Sequence, residues 1–382
     1  MNIWFYINSN FESEGNPIAK RIKGLATIVK LAGHNPYILF PKPVSDKIWK
    51  QDEYKVSYRG IAFDKSYIKK VFPKMYHASE LLKYFRKQVK LNVKPDVLVL
   101  YNGSAIAYYS LIKFCRANNI KVITDITEYY PLSFKRVLSL NYWDHVIYRK
   151  YLTNIINGSI VISSFWRKYL RNKNAVLVPA LYLENKNVTK AEEKNEFNIV
   201  YIGAMTKRDL PDTMVNAVKH LIKAGYNVKF VIIGNVDSQR SGRRIKKQIL
   251  NDTELHKRIV FTGWLSNEKI HDTLNNADAF ILIRDNGKFS NGSFPTRLPE
   301  LMNYRKPIIL SGTTEFKNYF KHRHDACLVP PGDNPENISE EIQYLYNNPE
   351  KSQQIGEYCK EACDKYFVPE KYVDDLKKMV LY

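Results

Sequence analysis

The sequence FSNGSFPTRLPELMNYRKPIIL, residues 289–310, combines a polar loop, the start of a helix and a buried strand. Two prolines limit where the helix can begin, because a proline inside a helix lacks the N–H that the hydrogen-bond pattern requires. With Thr296 as the N-cap, Pro299 falls in the first turn, whose N–H groups have no partner within the helix. The sequence therefore predicts a helix N-terminus that opens onto a polar loop containing Ser293.

An anion suits this predicted helix start. The free N–H groups of the first turn, the positive end of the helix dipole and Arg297 all favour a negatively charged group such as a phosphate. Glu300 follows one turn later, where its carboxylate is placed to accept hydrogen bonds from a diol on that phosphate, such as a ribose. The segment thus favours a nucleotide site, with an ordinary helix start and a solvated glutamate as the alternative.

Length and composition indicate two domains. The 382 residues exceed one typical core and fit two domains of roughly 100–200 residues each. No stretch reaches the about 20 apolar residues of a membrane span. The start MNIWFYINSN has no cationic region before its apolar run and predicts a first strand, not an export signal. The four cysteines agree with a reducing compartment, so we expect a cytoplasmic protein.

The net charge of +21 is concentrated in the first half. Residues 1–200 contain 32 lysine and arginine against 15 aspartate and glutamate residues, a balance of +17, which leaves +4 for the remainder. Residues 42–94 also interleave many lysines with aromatic residues. Such a composition suits nucleic acid, an acidic glycan or the inner face of an anionic membrane, and rings packed in the core below solvated lysines are the alternative.

Apolar runs in the first half alternate with helical patterns. Residues 2–7 predict a strand, and a helix begins at Pro17 behind an Asn16 cap, with a second strand at 37–40. This order predicts a parallel sheet with right-handed crossovers. The Gly15-Asn16 turn therefore lies at the carboxyl end of a strand, where such sheets bind ligands.

Two carboxylates follow a later strand. Residues 121–125 predict a buried strand that ends in the run Asp125-Ile126-Thr127-Glu128. A carboxylate at the carboxyl edge of the sheet is a suitable group to orient or deprotonate a substrate hydroxyl. Glu128 is the preferred candidate, whereas Asp125 either joins it in catalysis or braces the loop.

The second half repeats the strand and helix pattern after a charged linker at 185–197. A strand at 198–202 closes on Gly203, and Lys207 and Arg208 follow it. Strands at 228–233, 258–262 and 278–283 complete a second parallel sheet. Two cations at a strand end suit a phosphorylated ligand, and a solvated pair is the alternative.

The pattern S-F-P-T-R-L-P-E-L-M-x-x-x-K-P-I-I resembles the donor-binding segment of GT-B glycosyltransferases, especially the retaining family 4. The resemblance implies that Glu300 is the glutamate that holds the ribose. The family's other glutamate, seven residues earlier, corresponds to Gly292, and Asp285 is the candidate substitute. Ser293, Thr296 and Arg297 belong to the same donor-binding segment.

The resemblance also assigns roles outside that segment. It places the Gly15-Asn16 loop and Gly203 near the donor phosphates, and Lys207 and Arg208 as the diphosphate cations. Trp264, in the turn after the strand at 258–262, lies beside the nucleobase or else in the core. The run from Asp125 to Pro131 is similar to an acidic-x-Arg-Asp-x-Trp-Pro segment of the family, with Glu128 in the place of its aspartate.

The predicted fold is α/β, with two Rossmann-like domains whose parallel sheets face a central cleft, the GT-B architecture. Residues 1–184 would bind the acceptor, residues 198–366 a nucleotide sugar, and a helix at 367–382 would cross back to the first domain. The expected activity is sugar transfer to a glycan or lipid-linked acceptor of bacterial surface polysaccharide or glycolipid, with retention and peripheral membrane association.

No cofactor or metal is expected, because the chain contains no Asp-x-Asp and its His322, His324 and Cys327 match no zinc signature.

Two other functions remain open. A GT-B sugar-nucleotide epimerase shares the nucleotide site but needs no second acceptor. A basic nucleic-acid-binding protein explains the charge but not Glu300, so no nucleic acid is expected as a partner.

Overall fold

The computed structural model describes residues 1–12, 15–43, 46, 48–62, 73–129, 140–170, 174–183, 195–332 and 334–381. The chain forms two compact units. The first contains Met1–Leu183, Gly292–Thr296 and Val368–Tyr382, and the second contains Glu184–Asn291 and Arg297–Phe367. Most of the predicted linker, residues 185–194, lies outside the described residues, and Phe197 already begins a strand.

The described part of the first unit is built on one eight-stranded sheet with the order β3-β4-β2-β1-β5-β6-β7-β8. Neighbouring strands are parallel except for β3, which pairs antiparallel with β4. The strands are β1 (Asn2–Tyr6), β2 (Asn35–Lys42), β3 (Lys50–Gln51), β4 (Ser57–Ala62), β5 (Val97–Tyr101), β6 (Lys121–Ile126), β7 (Gly158–Val161) and β8 (Ala175–Leu177).

Helices cover both faces of this sheet, as the near-continuous apolar character of its inner strands requires. The helices are α1 (Pro17–Leu31), α2 (Pro73–Lys90), α3 (Ala105–Ala117), α4 (Leu140–Lys150) and, at the end of the chain, α13 (Val373–Leu381). The Asn16 side chain caps α1 by accepting a hydrogen bond from the backbone N–H of Ile18 at 2.9 Å. Leu376 and Met379 of α13 are buried in the same cluster as Ile22 and Leu25 of α1.

The second unit has a six-stranded sheet with the order β11-β10-β9-β12-β13-β14, and all its described neighbours are parallel. The strands are β9 (Phe197–Ile202), β10 (Val228–Ile233), β11 (Ile259–Gly263), β12 (Ala279–Leu282), β13 (Ile308–Ser311) and β14 (Cys327–Val329). Numbered within the unit, this is the order 3-2-1-4-5-6 of doubly wound sheets. The strand order therefore reverses between β9 and β12.

The helices of the second unit connect successive strands. They are α5 (Pro211–Lys223), α6 (Arg240–Leu250), α7 (Thr253–Arg258), α8 (Asn267–Asn275), α9 (Lys288–Asn291), α10 (Leu298–Met302), α11 (Pro335–Asn347) and α12 (Pro349–Tyr366). Met214, Val218 and Leu221 of α5 are buried, as their spacing predicts. The α/β class and the two parallel sheets are thus confirmed.

The segment 289–310 differs from its prediction in two respects. Residues predicted as a loop include the short helix α9. The next helix, α10, begins at Leu298 with Arg297 as its N-cap, so Thr296 as the N-cap is wrong. Arg297 has helical dihedral angles, and no side chain caps the helix. With five residues, α10 aligns few peptide dipoles, and the binding of an anion must depend mainly on side chains.

Several aromatic rings of the interleaved segment 42–94 pack in the core of the first unit. Phe85 of α2 is fully buried, and its ring lies 5.5 Å from that of Trp4. Trp49 packs at 6.2 Å from Trp4 and 5.1 Å from Tyr37. The alternative of rings packed in the core is therefore confirmed for Phe85 and Trp49, and residues 63–72 lie outside the described part.

None of the helices that the structure describes is both long enough and apolar enough to cross a bilayer.

Candidate functional site

The point at which the strand order of the second unit reverses is the expected ligand-binding position. In open parallel sheets, ligands bind beyond the carboxyl ends of the strands at the point where the order reverses. Gly203 follows β9 and Arg284 follows β12, so these two residues flank that point. A Cβ atom on Gly234, after β10, would lie 2.6 Å from the Gly203 carbonyl oxygen, so a glycine is required for the close approach there.

Lys207 and Arg208 lie in a single 3₁₀ turn, Lys207–Asp209, that follows β9. The Asp209 carboxylate fixes this turn by accepting hydrogen bonds from the Thr206 N–H at 3.0 Å and the Thr206 hydroxyl at 2.6 Å. Lys207 is exposed, whereas Arg208 is partly buried with its guanidinium 4.9 Å from the ring centre of Phe289. The turn therefore holds one exposed cation and one positioned cation.

Arg208 is joined directly to the loop after β12. Its carbonyl oxygen accepts a hydrogen bond from the backbone N–H of Asp285 at 3.1 Å. The Nε atom of Arg208 is buried and has no hydrogen-bond partner among the described residues. A buried donor without a partner costs free energy, about 1–3 kcal/mol, unless a ligand supplies the acceptor. Arg208 is thus placed to receive an anion.

Arg284 is a second cation beside this turn, and only 9% of its surface is exposed. Its backbone N–H donates to the Ser311 hydroxyl, which donates back to the Arg284 carbonyl oxygen, both at 2.8 Å. Burial and the charge of Arg208 lower the pKa of Arg284 to about 10, although Asp209 and Asp285 act in the opposite direction. Two cations therefore lie close together here, and one of them is buried.

The Asp285 carboxylate is hydrogen-bonded within its own loop. Its carboxylate accepts hydrogen bonds from the Gly287 N–H at 3.1 Å and from the Ser290 hydroxyl. Asp285 remains partly exposed, so its carboxylate is held in place and still accessible. The structure therefore brings Asp285 together with Lys207, Arg208 and Arg284.

Trp264 lies further along the same edge of the sheet. Gly263 ends β11 with φ +66°, and its carbonyl oxygen accepts a hydrogen bond from the Gly234 N–H at 3.0 Å. Trp264 is 81% exposed, so the alternative of a core aromatic is excluded. An exposed indole two strands from Gly203 offers a flat apolar face for a ring.

Arg297 and Glu300 lie at the start of α10 with partly exposed side chains. The helix is held from the other side, where the Cys363 thiol donates to the Pro299 carbonyl oxygen at 3.4 Å. Glu300 therefore lies in the first turn of α10, earlier in the helix than predicted, and its side chain is partly exposed. Ser293 and Thr296 belong instead to Gly292–Thr296, which is part of the first unit, where Trp166 Nε1 donates to the Gly292 carbonyl oxygen at 2.8 Å.

The Gly15-Asn16 turn lies at the carboxyl end of β1, with φ +69° at Gly15. The Asn16 amide nitrogen donates to the Ser9 hydroxyl at 2.9 Å and to the Asn10 carbonyl oxygen at 2.8 Å, while its oxygen caps α1. The side chain of Asn16 thus shapes the loop. Any contribution of this turn to ligand binding would come from its backbone.

Asp125 has a structural environment. It is fully buried and forms a bidentate pair with Arg21, at 2.8 Å and 3.1 Å. Arg21 also donates to the carbonyl oxygens of Val178 and Pro179, so the pair ties α1 and β6 to the chain after β8. The interpretation of Asp125 as a catalytic carboxylate is therefore corrected to the bracing alternative.

Glu128 follows β6 and remains partly exposed. The preceding residue, Thr127, donates its N–H to the Asn102 side chain at 2.9 Å, and its hydroxyl donates to the Tyr101 hydroxyl at 2.9 Å. These bonds fix the backbone from which Glu128 projects. Glu128 is thus an ordered and accessible carboxylate of the first unit.

Sequence reasoning missed Arg284 and Arg21. Arg284 ends the apolar run AFILIR, and a cation at the end of a strand is a signal that would have identified it. Arg21 lies within the apolar face of α1, and its partner is 104 residues away, so no local pattern reveals the pair. Within the described residues, no group of three or more His, Cys, Asp or Glu side chains could hold a metal ion.

Comparisons with known proteins agree with this geometry. Residues 184–362 match the family model described as glycosyl transferases group 1. None of the curated protein sequences matches the chain.

Several solved structures share the fold over the whole chain. A glycosyltransferase from Rickettsia africae is 14% identical, with a TM-score of 0.73, and the match covers 100% of this chain and 98% of that one. Sucrose-phosphate synthase from Thermosynechococcus elongatus is 13% identical, with a TM-score of 0.72 and coverages of 99% and 98%. Anabaena HepE in complex with UDP-glucose is 11% identical, with a TM-score of 0.68 and coverages of 100% and 99%.

Both kinds of comparison lead to the same class of protein, and the strand order of each unit agrees with it. Residues 184–362 are therefore a group 1 glycosyl transferase domain, and the chain as a whole has the GT-B fold.

Proposed function

We propose that the protein transfers a sugar from a nucleoside-diphosphate sugar to a glycan or lipid-linked acceptor, with retention at the sugar carbon. The observation that carries this proposal is the pair Arg208 and Arg284 at the switch point of the second sheet, where Arg284 and the Nε atom of Arg208 are buried. A diphosphate would supply the acceptor for the Arg208 Nε atom and negative charge beside both guanidinium groups.

The second unit would bind the donor. Arg208 and Arg284 contact the diphosphate, and exposed Lys207 adds charge as the diphosphate leaves, because a departing diphosphate gains negative charge. Glu300 accepts hydrogen bonds from the ribose, and Trp264 stacks on the base. Asp285, held by Ser290, is the candidate contact to the donor sugar, in place of the glutamate that the family pattern would have at Gly292.

The first unit would bind the acceptor, with Glu128 positioning its hydroxyl. In the reaction, the bond between the sugar carbon and the diphosphate oxygen breaks, and its electron pair leaves with the diphosphate. The acceptor oxygen forms the new bond on the same face of the sugar. The acceptor proton then passes to the leaving phosphate, so no protein nucleophile and no metal are needed.

Similar structures support this choice of substrates without fixing it. HepE was solved with UDP-glucose, and a mutant form of S. aureus TarM was solved with UDP and α-GlcNAc-glycerol. A third similar structure is a lipopolysaccharide outer core galactosyltransferase. The bound UDP-glucose and UDP, and the lipopolysaccharide outer core on which the third protein acts, favour a role in surface polysaccharide or glycolipid synthesis and a cytoplasmic or peripheral membrane location.

A thermal unfolding screen tests the proposal. UDP-, GDP-, ADP- and dTDP-sugars are added separately, with and without EDTA, and one of them should raise the unfolding temperature. A ligand at about 100 times its Kd adds about 2.7 kcal/mol. EDTA should leave the protection unchanged. Protection by single-stranded oligonucleotide and by no nucleotide sugar would contradict the proposal, and conversion of the sugar without an acceptor would indicate an epimerase.

A further inference from the structure

The two neighbouring helices α3 and α4 expose large apolar and aromatic side chains. The exposed fractions are 45% for Ile106 and 44% for Tyr109 in α3, and 47% for Trp143 and 37% for Ile147 in α4, while Tyr151, just after α4, is 65% exposed. We call these five residues the α3–α4 face. Trp143, Ile147 and Tyr151 are spaced by four residues, which places them along one side of the helix.

A buried hydrogen bond fixes the two helices to each other. The Asp144 carboxylate, on the buried side of α4, accepts a hydrogen bond from the Ile106 N–H at 2.7 Å. Ile106 therefore lies next to the turn of α4 that carries Trp143 and Ile147. The ring centres of Tyr142 and Trp143 are 5.6 Å apart, so the Tyr142 ring packs against one side of the exposed indole.

Lysines lie beside the α3–α4 face, in a basic part of the sequence. Residues 97–183 contain 11 lysine and arginine residues, four of them outside the described residues, and 3 acidic residues. Two of the three acids, Asp125 and Asp144, are buried and engaged. Exposed cations remain at Lys113, whose ammonium lies 4.7 Å from the Tyr109 ring centre, and at Lys150. The face is thus apolar at its centre and positively charged around it.

We propose that the α3–α4 face docks on an anionic lipid bilayer. Tryptophan and tyrosine favour the level of the lipid head groups, where the ring is in apolar surroundings and its polar atom is hydrated. The neighbouring ammonium groups meet lipid phosphates there. This arrangement replaces the earlier candidate, segment 42–94, whose described aromatic rings Trp49 and Phe85 pack in the core.

Lipid binding by this face does not depend on the proposed function, but its role in reaching a lipid-linked acceptor does. A protein held on the bilayer by the first unit meets lipid-linked acceptors at the membrane surface. Binding to lipid itself does not require donor binding, so the two can be measured separately.

Vesicle flotation of the full chain tests the docking surface. Wild-type protein is incubated with vesicles of phosphatidylcholine and phosphatidylglycerol in equal amounts, and with phosphatidylcholine alone. The test variants are Trp143→Ser combined with Ile147→Ser, and Lys113→Gln combined with Lys150→Gln. The matched control is Leu250→Ser combined with Lys247→Gln, which removes an exposed leucine and an exposed lysine from α6 of the other unit.

The wild type should bind the anionic vesicles and not the neutral ones. The apolar double variant should lower the partition coefficient about tenfold or more. Each removed lysine should lower it about fivefold, and the α6 control should leave it unchanged.

Equal binding by the apolar double variant and the wild type, or no preference for anionic vesicles, would overturn the proposal. Sedimentation of all samples adds a second criterion. If the apolar double variant converts a dimer into a monomer while vesicle binding stays the same, a second copy of the chain occupies the face and the proposal is wrong.

Thermal protection by the donor, measured on the same samples, separates the two proposals. If no nucleotide sugar protects the wild type while vesicle binding follows the variants as expected, the proposed function fails and the docking surface stands.

Discussion

The charge of Arg208 acts on Arg284, whose guanidinium is almost completely buried at the end of an apolar strand. Burial and this neighbouring charge lower the pKa of Arg284 to about 10. A shift of one pKa unit corresponds to about 1.4 kcal/mol, so the charged Arg284 costs the ligand-free fold on the order of a few kcal/mol. A pair that costs stability without a ligand is typical of a binding site.

Replacement of Arg284 should separate binding from stability. Arg284→Met removes the buried charge, so the ligand-free protein should be at least as stable as the wild type in urea unfolding. Binding of the nucleoside diphosphate should weaken at least about 100-fold, because a buried charge-assisted contact is lost. The matched control is Arg258→Met in the same unit, whose ion pair with Glu196 at 3.0 Å lies at the other end of the sheet. It should retain binding.

Asp125 and Glu128 should give opposite results when each loses its charge. Asp125→Asn leaves Arg21 buried without its counter-charge and should destabilise the protein by about 3–5 kcal/mol. Glu128→Gln should leave the free energy of unfolding unchanged and lower the transfer rate about tenfold or more, with donor affinity intact. Urea unfolding and a radiolabelled transfer assay measure the two effects. A stable but inactive Asp125→Asn protein would contradict this division of roles.

Trp264 should contribute to affinity alone. Its side chain is 81% exposed, so Trp264→Ala should not change the unfolding temperature of the ligand-free protein. Loss of stacking on the base should weaken donor binding by about 1–3 kcal/mol, measured by calorimetry. Leu250→Ala, another exposed apolar residue of the second unit, is the control and should bind as the wild type does.

Acid should destabilise the first unit through His77. Burial lowers the pKa of His77 below its ordinary value of about 6.5, and its Nδ1 contacts the Asn8 side chain. Below pH of about 6.5 the unfolded chain binds a proton that the folded chain does not bind, so stability falls as the pH falls.

Unfolding free energies measured between pH 5 and pH 8 test this, with His77→Gln compared with the control His220→Gln on α5. His77→Gln should reduce the loss of stability in acid, whereas His220→Gln should follow the wild type. The same slope in all three proteins would exclude His77 as its source.

Strands were predictable where the sequence is apolar and bounded by glycine, proline or polar residues. Residues 228–233 predict β10, which has the same bounds, and the helix from Pro17 begins at the predicted cap. These elements depend on local patterns alone. Strands β3 and β4 were missed because they lie among lysines and tyrosines, where the pairing of β4 with β2, and of β3 with β4, determines the structure.

The candidate site was predictable only in part. Lys207 and Arg208 follow a clearly apolar strand, and the family pattern points to Glu300. Arg284 was missed because a single arginine after an apolar strand is a weak local signal. Asp125 shows the same difficulty. Its position after a strand suggests chemistry, whereas its partner on α1 gives it a structural role that only the fold reveals.

A crystal structure with a bound nucleoside-diphosphate sugar tests the central claim most directly. The prediction is that the diphosphate oxygens lie within hydrogen-bond distance of the Arg208 and Arg284 guanidinium groups, with the ribose hydroxyls on the Glu300 carboxylate. A donor bound elsewhere on the chain, with Arg208 and Arg284 in contact only with protein, would contradict it.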